Sequence, residues 1–154
     1  MKIQCTDKKT FELTDGSEKL GHITYDGLFS YSANAVIGKD NYKITPKGIF
    51  SSTISVTKDE IEVANLQMNW KGHIIITFPN GKNFILKTTG TFQSKYVLED
   101  ENQQKLMLLN PDFNWSKFSY NYDISFDHKP KDILLILLTT YAANYFIAAM
   151  SGEM

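Results

Sequence analysis

Between Met1 and about Asp127 the chain repeats one pattern: a short run of alternating apolar and polar positions, then a turn signal. Ile23 and Tyr25 alternate before Asp26-Gly27, and Tyr42 and Ile44 before Pro46-Lys47-Gly48. Phe50, Ile54 and Val56 keep one parity before Thr57-Lys58-Asp59-Glu60. Period-two alternation places every second side chain on one face of a strand. The clearest hairpin runs from His73 to Phe78, turns at Pro79-Asn80-Gly81-Lys82, and returns from Asn83 to Thr88. Proline presets φ at the start of such a turn, and Asn-Gly supplies the positive φ that reverses the chain cheaply. Roughly twelve strands follow from this spacing, as expected of a sandwich or barrel.

One run changes parity midway. In Ile61 to Trp70 the apolar set is Ile61 and Val63, then Leu66, Met68 and Trp70. A β-bulge near Ala64-Asn65 would turn both halves inward and bend the strand, as closure of a sheet requires.

The last strand reads Phe118, Tyr120, Tyr122, Ile124, Phe126, and a polar link from Asp127 to Lys131 follows it. Then Ile133 to Met150 is uncharged and apolar on nearly every face. A helix of that kind must sit in lipid or be enclosed by protein. Two readings are open. The segment would rise about 27 Å, close to the hydrocarbon thickness of a bilayer, so it fits a transmembrane tail anchor at 133–150. Against this, Thr139, Thr140, Tyr141, Asn144 and Tyr145 make its second half polar or amphipathic. Asn144 would lack a partner in lipid, whereas a barrel interior offers strand groups. Asp132 stands where a helix N-cap is expected. Enclosure is the expected outcome. The fold is therefore read as all-β with one C-terminal helix. It is a single domain over 1–154, a closed antiparallel barrel of about twelve strands (about 1–127) around a helix at about 132–150.

Composition narrows the function classes. The chain of 154 residues carries sixteen basic and seventeen acidic residues, a formal net charge of −1. A nucleic-acid binder usually shows a basic excess, so none is expected as partner. Every basic residue is lysine, which binds phosphate as a point charge without the bidentate fork of arginine. Cys5 is alone and cannot form an intrachain disulfide; it reads as a small buried hydrophobe. No apolar leader opens the chain, so a cytoplasmic location is expected.

No motif for chemistry emerges. His22, His73 and His128 are far apart, and none has a partner at metal-ligand spacing. No nucleophile elbow, P-loop or dinucleotide fingerprint is present. Glu99-Asp100-Glu101 lacks the spaced oxygens of a calcium loop. No enzyme activity, cofactor or metal is expected, and the chain reads as a monomer.

Two groups are candidate binding residues. Lys39, Lys43 and Lys47 surround one hairpin, and Lys82 with Lys87 marks another. If both hairpins open at one barrel end, they attract an anionic headgroup, and reversing the first three should weaken binding more than changing scattered lysines such as Lys8 and Lys105. The alternative is that lysines at turns and edges keep strands soluble. In the stretch Asn110 to Trp115, Phe113 and Trp115 read as lying outside a strand. They serve either as a contact surface for a partner or as a plug over one barrel end.

The closing strand Tyr120-x-Tyr122-x-Ile124-x-Phe126, the polar gap, Asp132 and the helix Ile133 to Met150 carry a resemblance at the level of architecture. The chain resembles the tubby C-terminal-like superfamily, which includes tubby domains, phospholipid scramblases and the plant LURP-one-related proteins. The resemblance implies a non-enzymatic binding or scaffold domain, with anionic phospholipid as the leading ligand class and peripheral association with a membrane surface.

Overall fold

The computed structural model describes residues 1–47, 53–91 and 94–150. Twelve strands form a closed antiparallel barrel, each paired with its neighbours in sequence. They are β1 (Lys2–Cys5), β2 (Thr10–Asp15), β3 (Glu18–Tyr25), β4 (Ala33–Ile37), β5 (Asp40–Pro46) and β6 (Thr53–Lys58). The second half is β7 (Ile61–Met68), β8 (Ile74–Thr77), β9 (Asn83–Thr89), β10 (Lys95–Glu99), β11 (Lys105–Asn114) and β12 (Ser119–Ser125). The helix α1 spans Ile133–Met150. Phe50 and Gly48, read above as part of a strand and a turn, lie outside the described residues.

The barrel closes because β1 pairs with β12, Lys2 opposite Asp123 and Ile3 opposite Tyr122. That ladder is short, and side chains extend it. The Cys5 amide donates to Asn121 Oδ1 at 2.9 Å, and Asn114 Nδ2 donates to the Cys5 carbonyl at 3.2 Å. Two buried backbone groups at the seam are satisfied in this way, as burial demands.

Closure also needs curvature, and three register shifts among the described residues supply it. The extra residues are Leu20 in β3, Val63 in β7 and Leu106 in β11. The bulge expected at Ala64-Asn65 is therefore present one residue earlier. Ala64 and Leu66 point into the core, whereas Ile61 is exposed beside the Asp59-Glu60 turn. At the tip of a hairpin there is no core left to cover it. The hairpin turn before β9 forms as expected, with Gly81 at φ 88° and its amide bonded to the Phe78 carbonyl.

The helix fills the barrel. Leu135 through Ala143 and Phe146 are all buried, and they pack against inward residues of the wall such as Leu13, Ile44, Leu66, Leu86 and Leu109. The enclosed segment carries its own polar accounting. The Leu135 amide donates to Asp132 Oδ1 at 3.1 Å, the expected N-cap. Thr139 and Thr140 donate to the carbonyls of Leu135 and Ile136 one turn back. Asn144 accepts from the Tyr122 hydroxyl at 2.7 Å and donates to the Tyr25 hydroxyl at 3.1 Å, so strand side chains supply both of its partners. The tail-anchor reading of 133–150 does not hold. The segment is core, and among the described residues no helix is long and apolar enough to cross a membrane.

Gly21 sets how closely α1 approaches the wall. A Cβ there would stand 2.8 Å from the Val36 carbonyl oxygen and 3.2 Å from Leu137 Cδ1. The carbonyl belongs to a paired strand and cannot move freely. Gly21→Ala is expected to destabilise the protein by about 1–3 kcal/mol, as overpacking of a filled core does. Urea denaturation measures it; an unchanged or higher midpoint would contradict the close approach of the Val36 carbonyl and Leu137 to Gly21.

Candidate functional site

In an up-and-down barrel, links that follow odd-numbered strands open at one end and those that follow even-numbered strands at the other. α1 enters after β12, so its C-terminal turns reach the odd end. The two ends differ in chemistry. Among the described residues Leu28, Phe29, Trp70, Trp115 and Phe118 are between 63% and 92% exposed, and all five lie in links of the odd end. Scattered apolar residues on a surface need no explanation, but large ones gathered on one face mark a contact surface.

The charges follow the same division. The odd-end links carry Lys8, Lys9, Lys47, Lys71 and Lys117 against Asp7 and Asp26. The even-end links carry more acid: Asp59, Glu60, Asp100, Glu101, Asp127 and Asp132 face Lys39, Lys82, Lys129 and Lys131. Ion pairing widens the contrast. Lys58 meets Asp40 at 2.9 Å, and Lys129 meets Asp15, both at the even end. Lys87 meets Glu99 at 2.7 Å on the wall. Among the described residues no ion pair engages a lysine of the odd-end links. Lys71 instead lies over the Trp70 ring, 5.5 Å from its centroid.

This geometry divides the lysines singled out from the sequence. Lys39 and Lys82 are in even-end turns, and Lys47 follows β5 at the odd end. Lys43 lies within β5, opposite Asn34 and Thr57, while Lys87 is engaged by Glu99. The five do not form one patch, because a strand separates each turn from the next and consecutive turns open at opposite ends. Lys8, read above as a scattered lysine, belongs to the odd-end face.

The aromatic stretch is also placed differently. Phe113 lies within β11 rather than in a loop, half-buried and paired with Tyr120. Its ring meets those of Trp115 and Tyr120 edge-on, at centroid distances of 4.7 and 5.2 Å. β10 pairs only as far as Leu109 and β1 only as far as Tyr122, so Asp112–Asn114 and their partners Ser119–Asn121 continue as a two-stranded arm. Pro111 is tolerated because its β10 side needs no amide donor. Trp115 sits at the tip of the arm and is exposed, so it does not plug the barrel.

Phe118, expected to begin the inward stripe of the last strand, is exposed and precedes β12 at φ 51°. The left-handed region costs a bulky residue about 1–2 kcal/mol. Lys8, at φ 75°, is held in the same unfavourable region on the facing link. Asp59, Glu60 and Gln103 adopt positive φ in turns at the even end, so this conformation is shared by both ends of the barrel. Sequence alternation missed Phe118 because positive φ turns the side chain out of the series. Leu28 and Phe29 were missed because an apolar pair in a link carries no periodic signal.

Beneath these tips lies a cavity of about 560 Å3, between the β3–β4 link, the β11–β12 arm and the last turns of α1. Tyr141 closes its floor, donating from its hydroxyl to the Tyr31 carbonyl at 2.7 Å and stacking on Tyr25. Among the described residues no group of His, Cys, Asp and Glu could hold a metal ion. No protein-family model matches the chain, and no curated protein or solved structure matches it.

Proposed function

We propose that this protein is a non-enzymatic, tubby-like binding domain that docks its odd end on an anionic membrane surface. The observation that carries the reading is the coincidence, on one barrel end, of exposed aromatic tips with lysines that make no ion pair among the described residues. Tryptophan and lysine partition to the bilayer interface, where the ring sits at headgroup level and each lysine near an anionic surface contributes about 1 kcal/mol. A protein partner would use the same aromatic anchors, but the lysine excess on this face complements an anionic surface. The closed barrel around a C-terminal helix is the architecture that the tubby resemblance implies, and it supports that part of the proposal.

Cosedimentation with vesicles tests it. Binding is expected to phosphatidylserine-containing vesicles and not to pure phosphatidylcholine, and to weaken with salt, since exposed charges are screened within about 8 Å at physiological ionic strength. Lys8, Lys71 and Lys117 changed together to Glu should reduce binding at least about 100-fold at low salt, from the loss of about 3 kcal/mol. The same reversal at Lys39 and Lys82 should leave it nearly unchanged. Phe118→Gly is the most discriminating change, because glycine accepts the positive φ without strain. It should keep or raise the melting temperature while weakening vesicle binding. Equal loss from both lysine sets, or no binding at low salt, would refute the docking face. Concentration-dependent dimers in place of vesicle binding would assign the aromatic tips to self-association.

A further inference from the structure

The cavity under the aromatic tips has the composition of a ligand site. Its volume of about 560 Å3 falls within the range of about 300–1,000 Å3 usual for small-molecule pockets. Its walls are mostly aromatic or aliphatic, from Phe11, Tyr25, Phe113, Tyr120, Tyr145 and Ile147. Lys8 and Lys117 also line it, from links on opposite sides of the seam. Neither is ion-paired among the described residues. A half-open cleft with largely aromatic walls and cationic groups at its rim complements an amphiphile that has an apolar tail and an anionic head.

Size restricts the tail. The volume of about 560 Å3 lies in the middle of the range for small-molecule sites and suits one acyl chain rather than two. The β3–β4 link and the β11–β12 arm face each other across the opening, with Phe29 and Phe118 at its edges. A chain entering there leaves its head beside Lys8 and Lys117, at the level where the docking face would meet lipid headgroups.

We infer that the odd-end cavity binds a single-chain anionic amphiphile, a free fatty acid or a lysophospholipid, with the chain among the aromatic walls and the head between Lys8 and Lys117. The inference deepens the membrane-docking reading and rests on it for the ligand class, but its test does not involve a bilayer.

Monomeric laurate, below its micelle concentration, is titrated into the full-length protein by calorimetry. The expected result is one-to-one binding. Affinity should rise about fourfold for each methylene added from octanoate to laurate, the gain expected for burying a CH2 group. Lys8→Gln with Lys117→Gln should weaken laurate binding tenfold or more and leave dodecanol binding unchanged. Ala148→Phe fills the cavity from the helix and should abolish laurate binding while leaving vesicle cosedimentation in place. Trp70→Ala should do the reverse, because Trp70 is on the face but does not line the cavity. Tighter binding of lauroyl lysophosphatidate than of laurate identifies the lysolipid as the ligand, and the opposite order identifies the fatty acid. The inference is overturned if folded protein binds neither amphiphile, if affinity ignores chain length, or if neither the lysine pair nor Ala148→Phe changes it. Laurate binding without vesicle binding would keep the cavity and remove the docking face.

Discussion

Leu138→Asp is expected to abolish the cooperative fold. Leu138 lies in the middle of the run from Leu135 to Ala143, every residue of which is buried inside the barrel wall. The surrounding core is mostly aliphatic, and among the described residues it offers no cation to a carboxylate. Holding the new side chain protonated at pH 7 costs about 4 kcal/mol, from a reference pKa near 3.9 and about 1.4 kcal/mol per unit. Losing the leucine itself costs a further 2–5 kcal/mol or so. Together these match the whole stability of a typical domain, about 5–15 kcal/mol. Leu138→Ala carries only the second term and should melt cooperatively at a lower temperature. Circular dichroism melts and size exclusion compare the three proteins. If Leu138→Asp melted like the unchanged chain, the helix could not be the barrel's core. Deleting residues 132–154 tests the same point from the other side, since a wall without its core should aggregate.

The second large effect is alkaline unfolding. Burial raises the phenol pKa of Tyr25, Tyr122 and Tyr141 well above its ordinary value. For Tyr25 the hydrogen bond from Asn144 offsets part of this rise. The unfolded chain releases these protons near pH 10, whereas the folded chain retains them. Above pH 10 the unfolded state therefore binds fewer protons, and stability falls with rising pH. The contribution is fully present below pH 10 and is lost as pH climbs toward the raised folded values. Each phenol gives a slope of about 1.4 kcal/mol per pH unit, so the three together give about 4. One to two units above pH 10 should remove about 4–8 kcal/mol, enough to unfold a typical domain. Tyrosinate absorbance followed beside circular dichroism provides the measurement. These three phenols should ionise only as the secondary structure disappears, and Tyr141→Phe should reduce the slope by about a third. Ionisation of all the tyrosines near pH 10 with the fold intact would contradict the buried placement.

The two effects have one structural origin. A helix threaded through a barrel must bring its own polar groups inside, and Tyr122, Asn144 and Tyr25 satisfy one another there. The same arrangement leaves the odd end incompletely filled above Tyr141, where the cavity lies. A stable core and a candidate ligand site thus share the last turns of α1.

How much of this was legible in the sequence depends on the range of the interaction. Alternation marked the strands because a half-buried strand repeats every two residues regardless of its partners. The missing polar face of Ile133 to Met150 implied enclosure, and Asp132 and Asn144 told against lipid, because local hydrogen-bonding needs decide both. The bulge in β7 was readable to within one residue, since a parity change needs an extra residue somewhere nearby. Its exact position, and the exposure of Ile61, depended on where the hairpin outruns the core.

The site was far less legible. Lys39 and Lys47 are eight positions apart and look clustered, yet the strand between them sends them to opposite ends of the barrel. Leu28, Trp70 and Phe118 are remote in sequence and lie at one end of the barrel only because alternate links open together. Sequence by itself determined the strands, the cap and the need to enclose the final helix, through period, turn chemistry and burial of local groups. Only the tertiary structure decided which lysines stay unpaired, which aromatic residues share a face, and where the helix stops filling the barrel. Closure sets those relations through pairings between residues distant in the chain, and no local pattern of side chains encodes them.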